Sequence, residues 1–137
     1  MTISIPGEIF AYPGIVDLSA KMGWAAKFAT SAAAPRSIDL ALTADDFIGV
    51  IVIGALAWGA NPGLTLHTEG LVNSVQRTGM PVAVANGAVA IGARITVAAD
   101  GRFRTAIAGD RVIGRAESAA ADGYTFSLNL VSLAATA

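Results

Sequence analysis

The sequence has no cysteine and a single histidine, His67. Disulfide staples and thiolate metal sites are thereby excluded, so stability has to come from burial or from assembly. Charge is also scarce. Charged residues make up 14% of the chain, against about 25% in an average soluble domain. The net charge is −1 and the isoelectric point is about 5.6. No long-range field would draw in nucleic acid or an anionic membrane. A net charge this close to zero gives little protection from self-association, and suggests that partners cover much of the surface. The N-terminus lacks the basic start and continuous apolar core of a signal peptide, so the expectation is a protein made in the cytoplasm. The uncharged window from Phe47 to Leu66 is nominally long enough to span a bilayer, but Gly59, Asn61, Pro62 and Gly63 break it too early. No membrane segment is expected.

What the chain does have is small apolar side chains. It is 54% hydrophobic, with 29 alanines and 15 glycines. Alanine buries little area, so each core position contributes less than a leucine or phenylalanine would. A thin core of this kind is commonly supplemented by oligomerisation. At 137 residues the chain is one ordinary domain.

The organising stretch runs from Phe47 to Val75. Phe47-Ile-Gly-Val-Ile-Val-Ile is uniformly apolar and β-branched, which suits a buried strand better than a helix. After a wide glycine-rich loop, Leu64, Leu66 and Val72 fall on one face around Thr68-Glu69-Gly70, which reads as a hairpin. Met1 to Asp17, cut by Pro6-Gly7 and Tyr12-Pro13-Gly14, reads as an extended N-terminal arm carrying Ile3, Ile5, Ile9, Phe10 and Tyr12. The remainder, residues 18–137, reads as one β domain. Strands are expected at Trp24–Phe28, at Ile38–Leu42 by alternation, and at Pro81–Ala85. Turns fall at Thr43–Asp46, Gln76–Gly79 and Asn86-Gly87.

The clearest hairpin joins Ala93–Ala98 to Arg102–Ile107, and its register follows from patterning. A two-residue loop would oppose Val97 to Arg104 and mix the faces. A three-residue loop, Ala99-Asp100-Gly101, pairs Val97 with Phe103 and Ile95 with Thr105, and leaves Arg94, Thr96, Arg102 and Arg104 on the other face. The same small-acidic-glycine spelling recurs at Ala121-Asp122-Gly123, before a strand in which Tyr124, Phe126, Leu128 and Leu130 alternate with polar residues. A faint internal echo links Phe47-Ile48-Gly49-Val50 with Val112-Ile113-Gly114-Arg115. It suggests two similar strand-loop-strand units packed in one barrel.

Nothing in the sequence assembles a nucleophile–base pair, a phosphate loop or a carboxylate pair. His67 has no acidic partner placed by spacing, and Asp45-Asp46 sits in a turn, where aspartates cap backbone groups. No catalytic residue, metal or cofactor is therefore expected. Arg94, Arg102 and Arg104 read either as a solvated face or as a stripe for carboxylates on a partner protein. Aromatics do not interleave with them, which argues against nucleic acid. Trp24 and Trp58 are each either core residues or interface anchors.

The order of these features resembles the small capsid decoration, or cement, proteins of tailed bacteriophages. It comprises an apolar arm, Leu18-Ser19-Ala20, a strand near Trp24–Phe28, Ile48-Gly49-Val50, Gly70, the Gly79–Ala83 step, Gly92, Asp100-Gly101, Ile113-Gly114-Arg115-Ala116 and a Gly123-led strand. The resemblance implies an all-β, compact β-barrel-like or β-sandwich-like domain with an extended N-terminal arm, and no catalysis. It implies a homo-oligomer, a trimer foremost, on the outside of the capsid, bound to the major capsid protein and stabilising the shell. The resemblance carries over no residue of defined role; read from the residues themselves, the partner-contacting candidates are Ile3, Ile5, Phe10, Tyr12, Trp58, Arg94, Arg102 and Arg104. The competing expectation is a β-rich tail or fibre module that binds a host-surface glycan.

Overall fold

The computed structural model describes residues 7–16, 18–29, 37–53 and 72–130. Among them are ten strands and no helix, so none is long and apolar enough to cross a membrane. The strands are β1 (Ile9–Pro13), β2 (Ala25–Phe28), β3 (Ile38–Leu40), β4 (Gly49–Ile53), β5 (Val72–Gln76), β6 (Val82–Val84), β7 (Arg94–Val97), β8 (Phe103–Thr105), β9 (Gly114–Ala116) and β10 (Thr125–Leu130). They form two five-stranded antiparallel sheets, ordered β1-β5-β4-β2-β3 and β6-β10-β9-β7-β8. The two sheets pack into one sandwich-like all-β domain, as the strand patterning requires.

The β7–β8 hairpin has the register that its side chains dictate. Val97 pairs with Phe103 and Ile95 with Thr105, leaving Ala99-Asp100-Gly101 as the loop. Gly101 stands at φ 95°, where a side chain would be strained, and its N–H donates to the Ala98 carbonyl at 3.0 Å. Phe103 is fully buried and meets Phe47 edge-on, with ring centroids 5.9 Å apart.

The faint echo in the sequence extends to the whole fold. Advancing every strand of the first sheet by five places reproduces the order of the second. The irregular bonds repeat as well. Gly14 bridges Ile38 in parallel as Ala85 bridges Phe103, so that each sheet curls until its outer strands meet. Gly23 N–H donates to Ile51 O as Gly92 N–H does to Ala116 O; Ile48 N–H donates to Ala26 O as Ile113 N–H does to Ile95 O. Arg77 N–H donates to Glu8 O as Leu130 N–H does to Gly79 O. Gly49 and Gly114 also match. A Cβ at Gly49 would lie 2.5 Å from the Gln76 carbonyl, and one at Gly114 would lie 2.5 Å from that of Asn129. Both positions need glycine for the same close approach of backbone.

Each repeat has its own small core. In the first it is Leu18, Ala26, Ile38, Ile51 and Val75, with Tyr12 packed against it. The matching residues of the second are Val89, Ile95, Phe103, Ala116 and Leu128, with Ala83. Ala25, Ala41, Ala44, Phe47 and Val50, from the opposite face of the first repeat, join the second cluster and make the two repeats continuous. Buried polar groups are satisfied. Asn73 Nδ2 donates to Tyr12 O at 3.2 Å, Gln76 Nε2 donates to Thr78 O at 2.8 Å, and Ser127 N–H donates to Ser118 Oγ at 2.9 Å.

Several local expectations need correction. Gln76 closes β5 rather than opening a turn. Leu42 lies past the end of β3 and is exposed. Tyr124 precedes β10 and is 70% exposed, out of line with buried Phe126 and Leu128. Thr96, placed by alternation on a solvated face, is only 3% exposed. The first repeat reaches this face: Thr96 and Val97 share the wall of one cavity with Leu42, Thr43, Ala44 and Asp45. The Thr68-Glu69-Gly70 hairpin lies outside the described residues. The described part of the expected arm contains β1, paired over its five residues with β5.

Candidate partner-binding surface

Of the partner-contacting residues named from sequence, Ile3, Ile5 and Trp58 lie outside the described residues, as does His67. Phe10 and Tyr12 stand on β1. Phe10 is exposed, Tyr12 is half-buried, and their rings stack at 6.4 Å. Tyr12 meets Phe28 edge-on at 5.4 Å, and the Arg77 guanidinium lies 5.4 Å from the Phe10 ring and 6.0 Å from that of Phe28. The result is an exposed aromatic patch with one cation over it, a surface that suits apolar or π-bearing partners. Phe28 and Arg77 were not singled out by sequence reasoning. Arg77 comes beside β1 at the end of the β1–β5 pairing, and Phe28 through its pairing with Ile38, which Gly14 bridges.

The three arginines do not form a free stripe. Arg102 Nε donates to Asp100 Oδ2 at 2.7 Å, and its Nη1 donates to Ala85 O at 3.2 Å and to Asp122 Oδ1 at 3.4 Å. Its guanidinium also lies 5.9 Å from the Trp24 ring, whose other cation is Lys21 Nζ at 3.8 Å. Trp24 is thus a half-buried seam residue, close to the Gly101 turn. Burial alone would raise the Asp100 carboxyl, but the hydrogen bonds from Arg102 outweigh it and hold the group below its usual range. Arg104 donates to both oxygens of Asp110, at 2.7 and 3.3 Å. That pairing, with the Ile107 N–H donating at 2.9 Å, lowers the Asp110 carboxyl likewise. Across the seam, Arg111 donates to Asp45 at 3.2 Å.

Arg94 remains exposed, and β7–β9 pairing sets it directly opposite exposed Arg115. The residues that match this pair in the first repeat are Ala25 and Val50, which also face each other and are fully buried under the second repeat. Like charges set opposite one another on a sheet repel unless an anion lies between them. The second repeat's outer face is therefore built for water or carboxylates where the first repeat's is built for packing. Arg115 could have been found from sequence only by recognising that Gly114 matches Gly49.

Among the described residues no group of acidic and histidine side chains could hold a metal. The cavity at the seam, about 380 Å³, is lined by Arg104, Asp110 and Arg111. These three and Asp45, which also lines it, are engaged in the ion pairs above.

No protein-family model matches the chain, and no curated protein matches it. A solved structure does. The chain folds like the base of a phage head fibre. The match is to the N base of the head fibre protein gp8.5 of bacteriophage phi29, with a TM-score of 0.64 over 92% of this chain and 94% of that one. Sequence identity is 15%, a level at which the likeness establishes the fold.

Proposed function

We propose that this is a structural protein of a tailed-phage virion that sits on the exterior of the capsid, binds the major capsid protein and stabilises the shell. One observation carries the reading: the fold is shared, over nearly the whole of both chains, with a head-fibre base. The low charge and the alanine-rich core fit a protein that completes its burial in an assembly, as a trimer on the shell. No catalysis, cofactor, nucleic acid or membrane enters this reading. The contacts to the shell are the arm residues Ile3 and Ile5, the Phe10–Tyr12 patch and Trp58, while Arg94 faces carboxylates of a neighbouring subunit. Arg102 and Arg104 act by bracing their own turns.

A second reading, a fibre or tail module that binds a host-surface glycan, is favoured by the exposed Phe10–Phe28 aromatic patch, since aromatic faces suit sugar rings. Gradient fractionation of disrupted virions separates the two. Recovery with heads supports the decoration reading. Recovery with tails, or on host cells, supports the glycan-binding one.

A further inference from the structure

The two repeats meet head to tail, and that contact leaves one half-interface open at each end of the chain. In the first repeat Gly23, at φ 84°, lies beneath β6 of the second: a Cβ there would sit 2.8 Å from Val84 Cγ2 and 3.3 Å from Val82 O. Val84 N–H donates to Gly23 O at 2.9 Å, and Met22, Gly23, Ile51, Val52 and Val82 line one apolar groove along this contact. The matching glycine of the second repeat, Gly92, has nearly the same φ, 82°, and nothing within 4 Å of its Cβ position. Beside it Ile91 is 71% exposed, against 57% for its counterpart Met22 at the edge of the formed contact, so the bare Gly92 is the stronger mark of the open end. At the other end, β1 is the counterpart of β6. Glu8 accepts a bond from Arg77, so by strand alternation Ile9 and Ala11 turn their backbone groups away from β5, and both are exposed, Ile9 by 50%.

A two-fold relation between the repeats would have buried Gly92 under β1 as it buries Gly23 under β6. It does not, so the contact is heterologous. A heterologous contact between like units repeats itself in a ring or a filament.

We infer that a second copy of this chain docks its β1, through Ile9 and Ala11, on the Ile91–Gly92 surface of the first, repeating between chains the contact that joins the repeats within one. The copies differ in two respects that set its strength. Pro13 stands where Val84 does and has no N–H to give to the Gly92 carbonyl. Exposed Arg94, Arg115 and Glu117 stand where Ala25, Val50 and Val52 do. The contact between chains is therefore more polar and reversible, and assembly depends on concentration. This inference does not rest on what surface the assembly covers.

The test is sedimentation of the full chain with two variants, Ile9→Glu and Ile91→Glu. Both positions are exposed, so circular dichroism and melting should match the wild type. Wild type should associate as concentration rises. Each variant alone should stay monomeric, because one half of every contact is broken. Mixed in equal amounts, the variants should form a heterodimer and nothing larger, since the intact Ile91 surface of one meets the intact β1 of the other. A wild type that stays monomeric, variants that associate like the wild type, or a mixture with no heterodimer would each overturn the inference.

Discussion

Phe103 and Arg104 are neighbours on β8 with opposite fates. Phe103 has no exposed surface and packs edge-on against Phe47 across the two repeats. Arg104 reaches out to Asp110 and is partly exposed. Phe103→Ala should cost about 3 kcal/mol or more, as removal of a fully buried aromatic does. Arg104→Ala should cost under about 1 kcal/mol, the range of exposed ion pairs. Equal losses in urea unfolding would contradict the register. Asp110 adds a pH dependence. Its carboxyl is held lower in the folded chain than in the unfolded one, so the folded state binds fewer protons. Its contribution is complete above the unfolded value of about 3.9 and is lost as pH falls through the lower folded value. The stability gap between wild type and Asp110→Asn should therefore narrow on acidification below about pH 4. A gap that stays constant into strong acid would show that Asp110 is not the group titrating. The same residues show the limit of local reading. The hairpin is legible because Val97, Phe103 and the Asp100-Gly101 turn are close in sequence. The partners of Arg102 are not, since Asp122 and the Ala85 carbonyl arrive from other turns.

At the level of elements, β1 changes how the N-terminus has to be tested. The arm expected over Met1–Asp17 contains a strand that pairs with β5 and carries Tyr12 into contact with the first repeat's core. Removing Met1 to Pro6 leaves that strand intact, with the bonds of Glu8 to Arg77 and Thr78. The truncated chain should melt like the wild type and bind heads more weakly, if Ile3 and Ile5 dock on the shell. Removing Met1 to Asp17 strips β5 of one of its two neighbours and should lower the melting temperature. Equal melting of the two truncations would mean that β1 contributes nothing to the fold. Strand existence was legible wherever β-branched or alternating runs occur, as at Gly49–Ile53 and Ile38–Leu40. The role of β1 was not, because Pro13 and Gly14 read as breakers. In the fold they mark the free edge and the crossing to Ile38.

At the level of the molecule, ten strands reduce to five used twice. The sequence shows this only at Phe47–Val50 and Val112–Arg115. Elsewhere the matching core positions hold different residues, such as Leu18 and Val89, Ile38 and Phe103, or Ala26 and Ile95. What is kept is burial and backbone geometry, which a letter-by-letter comparison does not register. The outer faces diverge further, to Ala25 and Val50 in one repeat and Arg94 and Arg115 in the other. That divergence distinguishes the joined end of the unit from the free end. The most direct test adds the purified chain to phage heads that lack it, then measures co-sedimentation and the temperature at which the heads come apart. The account predicts saturable binding to the outside of the shell and a raised disruption temperature. Heads that sediment without the protein, or that bind it and come apart at the same temperature, would contradict it.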